Sequence, residues 1–259
     1  MIELSLTTIG TGNALPDAQR GPTSQLIRYG ASSIVVDLGS GALHKLARAG
    51  VSVFDMDALV LTHAHIDHIA DCLPLLFALS VLKKDRARPL EIFASSTTRD
   101  YLHAVQKVFG AWLDAPAKNV VWRTIAPGER YDVAGLSLAT GTVQHSESSV
   151  ALRFETPDGR RIAIPGDTAP HAPLVDFVRD VELLVIECGN PSGVETRAHL
   201  SPASLASLLK AAQPAVAVVT HRPLELDGET IQRAASPDFK GALHVPGDLE
   251  TFVVTHRDR

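Results

Sequence analysis

The sequence predicts an α/β fold, two sheets with helices outside them, in one domain spanning residues 1–259. Three observations carry that prediction. Short strand-like runs alternate with helical stretches along the whole chain. No linker-like, repetitive or low-complexity tract divides it. Finally, three apolar strand runs each end in a residue type that binds metals: Ala58-Leu59-Val60-Leu61 leads into Thr62-His63, residues 161–165 into Gly166-Asp167, and residues 215–219 into Thr220-His221. Side chains fixed at strand ends can converge on one rim, which mobile loop tips could not do with precise geometry.

Taken in order, Ile2, Leu4 and Leu6 alternate with polar residues as in a half-buried strand, and Gly10-Thr11-Gly12-Asn13 ends it. Residues 25–29 and 33–37 flank Gly30-Ala31 as a hairpin. Leu43, Leu46 and Ala47 share a helical face that stops at Gly50, a residue able to take positive φ. Residues 58–61 read as a buried strand, 66–82 as a largely apolar helical stretch, 90–94 as a strand and 97–109 as a helix. Short strands follow over 120–142, and 149–155 pairs with 161–164 across Pro157-Asp158-Gly159. Residues 183–187 form a further strand. Ser201 is suited to cap a helix with Pro202 in its first position, running to Ala212 before the strand 215–219.

Composition narrows the function. The chain has 259 residues, 45% hydrophobic, so a sizeable core is assured. A net charge of -5 lacks the cationic excess of proteins that hold nucleic acid through its phosphates, and stable RNA binding is not expected. No stretch has the length and apolarity of a membrane span, and Met1 to Gly10 does not read as a leader, so a soluble cytoplasmic protein with no membrane partner is expected. Two cysteines, Cys72 and Cys188, form no CxxC pair and fit a reducing compartment. Eleven histidines stand out, because imidazole is the commonest metal ligand.

Residues 62–68 read Thr-His-Ala-His-Ile-Asp-His, which crowds His63, His65, Asp67 and His68 between a strand and a helix. Four ligands on one ion would leave no position for substrate, and the split suggests two metals, which in hydrolytic pairs lie ~3.5–4 Å apart. The motif resembles the His-x-His-x-Asp-His signature of the metallo-β-lactamase superfamily, and further matches follow in order at His145, Asp167 and His221. Within it, the chain looks most like the ribonuclease Z and phosphodiesterase branch: His199-Leu200-Ser201 matches that branch's histidine element, and Glu187 matches the glutamate of its His-Glu-Ala-Thr element, with Ile186 in place of the histidine.

The resemblance implies a metallo-β-lactamase αββα four-layer sandwich. It further implies His63, His65 and His145 on one ion, Asp67, His68 and His221 on the other, and Asp167 between them. The ions would be zinc, with manganese or iron as alternatives that the same donors suit. Asp67 would orient or deprotonate water, and His199 would bind phosphate or protonate the leaving group, with Glu187 setting its tautomer. The long arm that ribonuclease Z inserts between the third and fourth metal motifs has no room between His145 and Asp167. A small anionic substrate, a cyclic or nucleotide-like phosphodiester, is therefore expected. Transfer RNA 3'-processing, thioester, lactone or β-lactam hydrolysis, and metal-stabilised binding without turnover stand as alternatives. The nearly continuous apolar stretch 73–82 is read as a homodimer face, and the basic run 83–88 as a solvated helix end.

Overall fold

A computed structural model of the chain describes residues 2–81, 86–116, 118–235 and 238–257. In chain order the elements are β1 (Leu4–Gly10), β2 (Ser24–Tyr29), β3 (Ser32–Val36), α1 (Ala42–Arg48), β4 (Ala58–Val60), α2 (Ile66–Ile69), α3 (Cys72–Val81), β5 (Leu90–Ala94), α4 (Ser96–Phe109), a 3-10 turn (Gly110–Leu113) and β6 (Val120–Thr124). There follow β7 (Arg130–Val133), β8 (Leu136–Gly141), β9 (Ala151–Glu155), β10 (Arg161–Ile164), α5 (Ala172–Phe177), β11 (Leu183–Glu187), α6 (Pro202–Ala212), β12 (Val216–Thr220), α7 (Gly228–Ala235), β13 (Ala242–His244) and β14 (Thr251–Val253).

The strands form two seven-stranded sheets, ordered β14-β1-β2-β3-β4-β5-β6 and β13-β12-β11-β10-β9-β8-β7. Alternation along each strand sorts side chains into three apolar layers, because successive residues point to opposite faces. Leu6, Ile27, Val60 and Phe93 of the first sheet meet Leu152, Phe154, Ile162 and Val185 of the second in the middle layer. Leu26, Leu59 and Ile92 pack outward on Leu46, Leu75 and Leu102 of the flanking helices. Ala163, Leu184 and Val219 pack outward on Leu174, Leu205 and Ile231. This is the helix-sheet-sheet-helix order of a four-layer sandwich.

Two sequence readings need correction. The stretch 66–82 is not one helix: it breaks between α2 and α3, where the Asp71 N–H leaves the helical ladder to donate to Leu38 O. The Asp71 carboxylate then accepts from Gly41 N and Leu43 N, at the start of α1. The basic run 83–88 lies outside the described residues up to Asp85. Beyond it, Arg86 is half-buried rather than solvated, donating through its guanidinium to Val53 O and Met56 O. Among the described residues, no helix is long and apolar enough to cross a membrane.

Candidate metal centre

Within each sheet the strands that carry the donor residues run parallel, β3 beside β4 and β10 beside β11 and β12. Their C-terminal ends therefore share one edge. There Asp37 follows β3, His63 follows β4, Asp167 follows β10, Glu187 ends β11 and His221 follows β12. The two sheets approach closely at this edge. A Cβ on Gly166, whose φ is 71°, would stand 2.8 Å from Thr62 Cβ, so the position before Asp167 requires glycine for both its conformation and its space.

All nine residues singled out in the sequence meet here. His63, His65, His145 and Asp167 bring ligand atoms within 4.8 Å of one another, as do Asp67, His68 and His221. Asp167 stands between the two groups: its Oδ1 is 3.4 Å from His68 Nε2, and its Oδ2 is 3.7 Å from His63 Nε2, 3.6 Å from His145 Nε2 and 3.3 Å from His221 Nε2. Asp67 Oδ2 lies 3.2 Å from His221 Nε2. The first group opens to solvent at His65, whereas His68 and His221 are buried.

His199 lies across from these donors, its Nδ1 3.9 Å from Asp167 Oδ2. That nitrogen donates to Glu187 Oε1 at 2.9 Å. Glu187 is itself fixed by N–H groups of Thr168, Gly189 and Leu200. The next helix starts as its sequence predicts, with Ser201 as N-cap and Pro202 in the first turn. The departure at Ile186 is also explained, because alternation along β11 puts Glu187 on the inner face with Val185 and turns Ile186 into the outer helical layer.

Electrostatics and hydrogen bonding both fit cations. Burial, reinforced by neighbouring His68, pushes the His63 imidazole well below its ordinary pKa and so favours the neutral, ligating form. Burial alone would raise Asp167, but His221 and His68 outweigh it and hold the carboxyl well below the usual range. Two buried imidazole nitrogens, His63 Nε2 and His68 Nε2, have no hydrogen-bond partner among the described residues although they face this cluster. The nitrogens of His65 and His145 approach to 3.0 Å. Lone pairs converging in this way, with carboxylates between them, suit divalent metal ions.

The outer partners follow the same logic. His68 Nδ1 is held by Asp37 Oδ2 at 2.7 Å and His145 Nδ1 donates to Ala198 O at 2.8 Å, so each ring turns its Nε2 inward. Sequence reasoning missed Asp37. It also accepts from Thr62 N and Thr62 Oγ1, at 2.8 and 2.7 Å. Its signal was the one used elsewhere, a polar residue ending an apolar strand run, but without a motif around it. Asp37 and His221 both adopt left-handed backbone, with φ of 58° and 48°. Such conformations are uncommon outside glycine and cluster at functional sites. Ser148, also missed, accepts from Ala64 N between the two histidines of the loop.

Comparison with known proteins identifies the family and the fold. A family model described as a beta-lactamase superfamily domain matches residues 33–222. Ribonuclease Z of Mycobacterium bovis is 32% identical over 196 residues, which cover 70% of this chain and 69% of the relative. Ribonuclease Z of Methanopyrus kandleri is 30% identical over 176 residues, covering 65% of this chain and 54% of the relative. Among solved structures, the metallo-beta-lactamase fold protein YhfI from Bacillus subtilis superposes with a TM-score of 0.85 at 21% identity, over 98% of this chain and 100% of that one. The short form of human tRNase Z gives 0.77 at 18%, over 97% and 100%. The structural likenesses establish the fold, and the family match together with the sequence identity to ribonuclease Z establishes the lineage: the chain belongs to the metallo-β-lactamase superfamily and is a metal-dependent hydrolase.

Proposed function

We propose that this hydrolase is a binuclear phosphodiesterase acting on small cyclic or nucleotide-like phosphodiesters. The observation that carries the proposal is the His199–Glu187 pair, which faces Asp167 from outside both groups of donors. In this reading His63, His65 and His145 would hold one zinc ion, Asp67, His68 and His221 would hold a second, and Asp167 would be shared between them. When bound, two such ions neutralise a phosphate and bring the pKa of water toward ~7.

The chain's own residues supply the rest. Asp67, kept ionised by His221 against the effect of burial, orients the attacking water and accepts its proton. Burial alone would lower His199, but the Glu187 carboxylate raises it above the ordinary imidazole value, which keeps its second nitrogen able to donate. With Nδ1 committed to Glu187, Nε2–H is free to bind a phosphate oxygen or protonate the leaving alkoxide. His199 stands just before the first turn of α6, where partial positive charge also favours phosphate.

Only β9, its turn and β10 lie between His145 and Asp167, which supports a small substrate over folded RNA. A second reading, processing of transfer RNA 3' ends, draws support from the ribonuclease Z relatives. Cleavage of 2',3'-cyclic nucleotides and bis(p-nitrophenyl) phosphate should be compared with that of precursor transfer RNA at low and moderate salt. Turnover of the small diesters with little trailer removal is expected. Site-specific trailer removal with the small diesters untouched would favour the ribonuclease.

We also infer a homodimer. Phe77, Val81, Phe109 and Trp112 expose large apolar surface around α3 and the 3-10 turn, beside a groove of about 800 Å³ lined by Leu76, His103, Lys107 and Trp122. Projecting aromatics next to a groove on one face are what a self-complementary two-fold contact needs. Light scattering should give a dimer mass that Trp112→Glu reduces to a monomer. The two buried free thiols, Cys72 and Cys188, support a cytoplasmic setting.

A further inference from the structure

Gln25 is a fully buried amide on β2. Along this strand Leu26 packs outward and Ile27 inward, so Gln25 shares the face of Ile27, between the two sheets. Its Nε2 donates to Gly10 O at 3.4 Å, while its Oε1 meets no donor among the described residues. On the second sheet, His221 turns Nε2 toward Asp67 and Asp167, and its Nδ1 is likewise buried without a protein partner. Gln25 and His221 line the same cavity beneath the donor cluster, which has about 10 Å³ of room for a water centre. That is close to one water molecule.

We propose that one buried water joins His221 Nδ1–H to Gln25 Oε1, making Gln25 a positioning residue for the ring of His221. The proposal rests on the reading of His221 as a metal ligand through Nε2. Ligation there leaves the proton on Nδ1, which must then donate, and an amide oxygen can only accept. A water between them accepts from the ring and donates to the amide. Thr23 lines the same cavity, and its hydroxyl, donating to Gly12 O, keeps lone pairs for the second water proton. The three carboxylates lining the cavity are committed elsewhere, Asp37 to Thr62 and His68, Glu187 to His199 and three backbone N–H groups, and Asp167 to the imidazoles of the donor cluster.

The other deeply placed imidazoles are braced by protein groups: His68 by Asp37, His145 by Ala198 O, and His63 Nδ1 by Thr62 Oγ1 at 3.0 Å. His221 leaves its strand in a left-handed conformation and has no such brace. The water would supply it from the opposite sheet, and outer partners of this kind are typically worth ~10–100-fold in metal affinity.

The test uses the full chain as wild type, Gln25→Leu and Gln25→Glu. A high-resolution crystal structure of the wild type should show a solvent peak within hydrogen-bond distance of both atoms, and ¹⁵N shifts of the zinc-loaded protein should report a protonated Nδ1 on His221. By chelator competition, Gln25→Leu should bind one of its two ions ~10–100-fold more weakly. Gln25→Glu, which keeps an acceptor oxygen, should retain the affinity. Absence of the solvent peak, or unchanged affinity in a folded Gln25→Leu protein, overturns the proposal. If Gln25→Leu does not fold, the wild-type peak and the ¹⁵N shifts decide. If the wild type binds no ion through His221, the metal reading fails separately, and the solvent peak in metal-free crystals still decides whether the water bridge exists.

Discussion

From the first sheet come His63, His65, Asp67 and His68, all on the loop and short helix that follow β4, whereas the second sheet sends Asp167, Glu187 and His221 from the ends of three different strands. The loop is braced by side chains: Asp37 holds Thr62 and His68, and Ser148 holds the Ala64 N–H. The second sheet's contributors rely on parallel strand register, on the absence of a side chain at Gly166, and on backbone N–H groups that fix Glu187. Damage should therefore propagate differently. Losing a brace of the loop loosens the donors on that loop, whereas losing Asp167 from the second sheet reaches both groups, because it stands between them.

The largest effect is expected at that shared residue. Asp167→Ala should leave fewer than two ions per chain by elemental analysis and lower turnover by more than about 10⁴-fold, a part of the total acceleration of ~10⁶ or more that enzymes supply. Retention of both ions would remove the distinction between the sheets. Next comes His199→Ala, for which kcat should fall ~10²–10⁴-fold at unchanged metal content. Equal slowing of diesters with good and poor leaving groups would leave His199 a phosphate ligand and no acid.

The braces of the first sheet should matter less. Asp37→Asn should weaken the ion held by His68 by ~10–100-fold and the other, which it reaches only through Thr62 and His63, by less, as read by chelator competition. Simultaneous loss of both ions would show that the loop is not locally braced. Smaller still, Ser148→Ala removes the acceptor of the Ala64 N–H and should destabilise the fold by about 1 kcal/mol in urea denaturation.

Far from the rim, the turn after β9 offers a control. Hydrogen bonds from Arg160 and then Thr156 hold the Asp158 carboxyl down to about 2, against an ordinary value of 3.8. A carboxylate depressed on folding adds stability above its unfolded pKa, and that contribution disappears as pH falls through the folded value. Wild type should therefore lose a little stability between about pH 4 and 2 that Asp158→Asn does not lose, with metal binding at neutral pH the same in both. A change in metal content in that variant would mean the far end of the second sheet is coupled to its rim.

The sequence by itself determined what short-range pattern can encode. Residues 62–68 were legible because the donors adjoin one another, and His145, Asp167 and His221 because apolar strands lead to the last two and the order matches a known signature. Alternation over residues 2–6 marked a strand but read as half-buried, whereas β1 is buried along its whole length because its sheet is covered on both faces. Tertiary structure decided the groups whose partners lie far away in the chain. Asp71 breaks the expected helix because its N–H and carboxylate bind residues 38–43, and Arg86 is drawn from solvent by carbonyls at Val53 and Met56. Asp37 finds His68 across a parallel strand pair, and Gln25 comes to line the cavity beneath His221 only when the sheets close on each other. Each of these is a polar group whose burial requires a partner, and which partner it meets is set by how the layers pack, a distance relation that spacing along the chain does not contain.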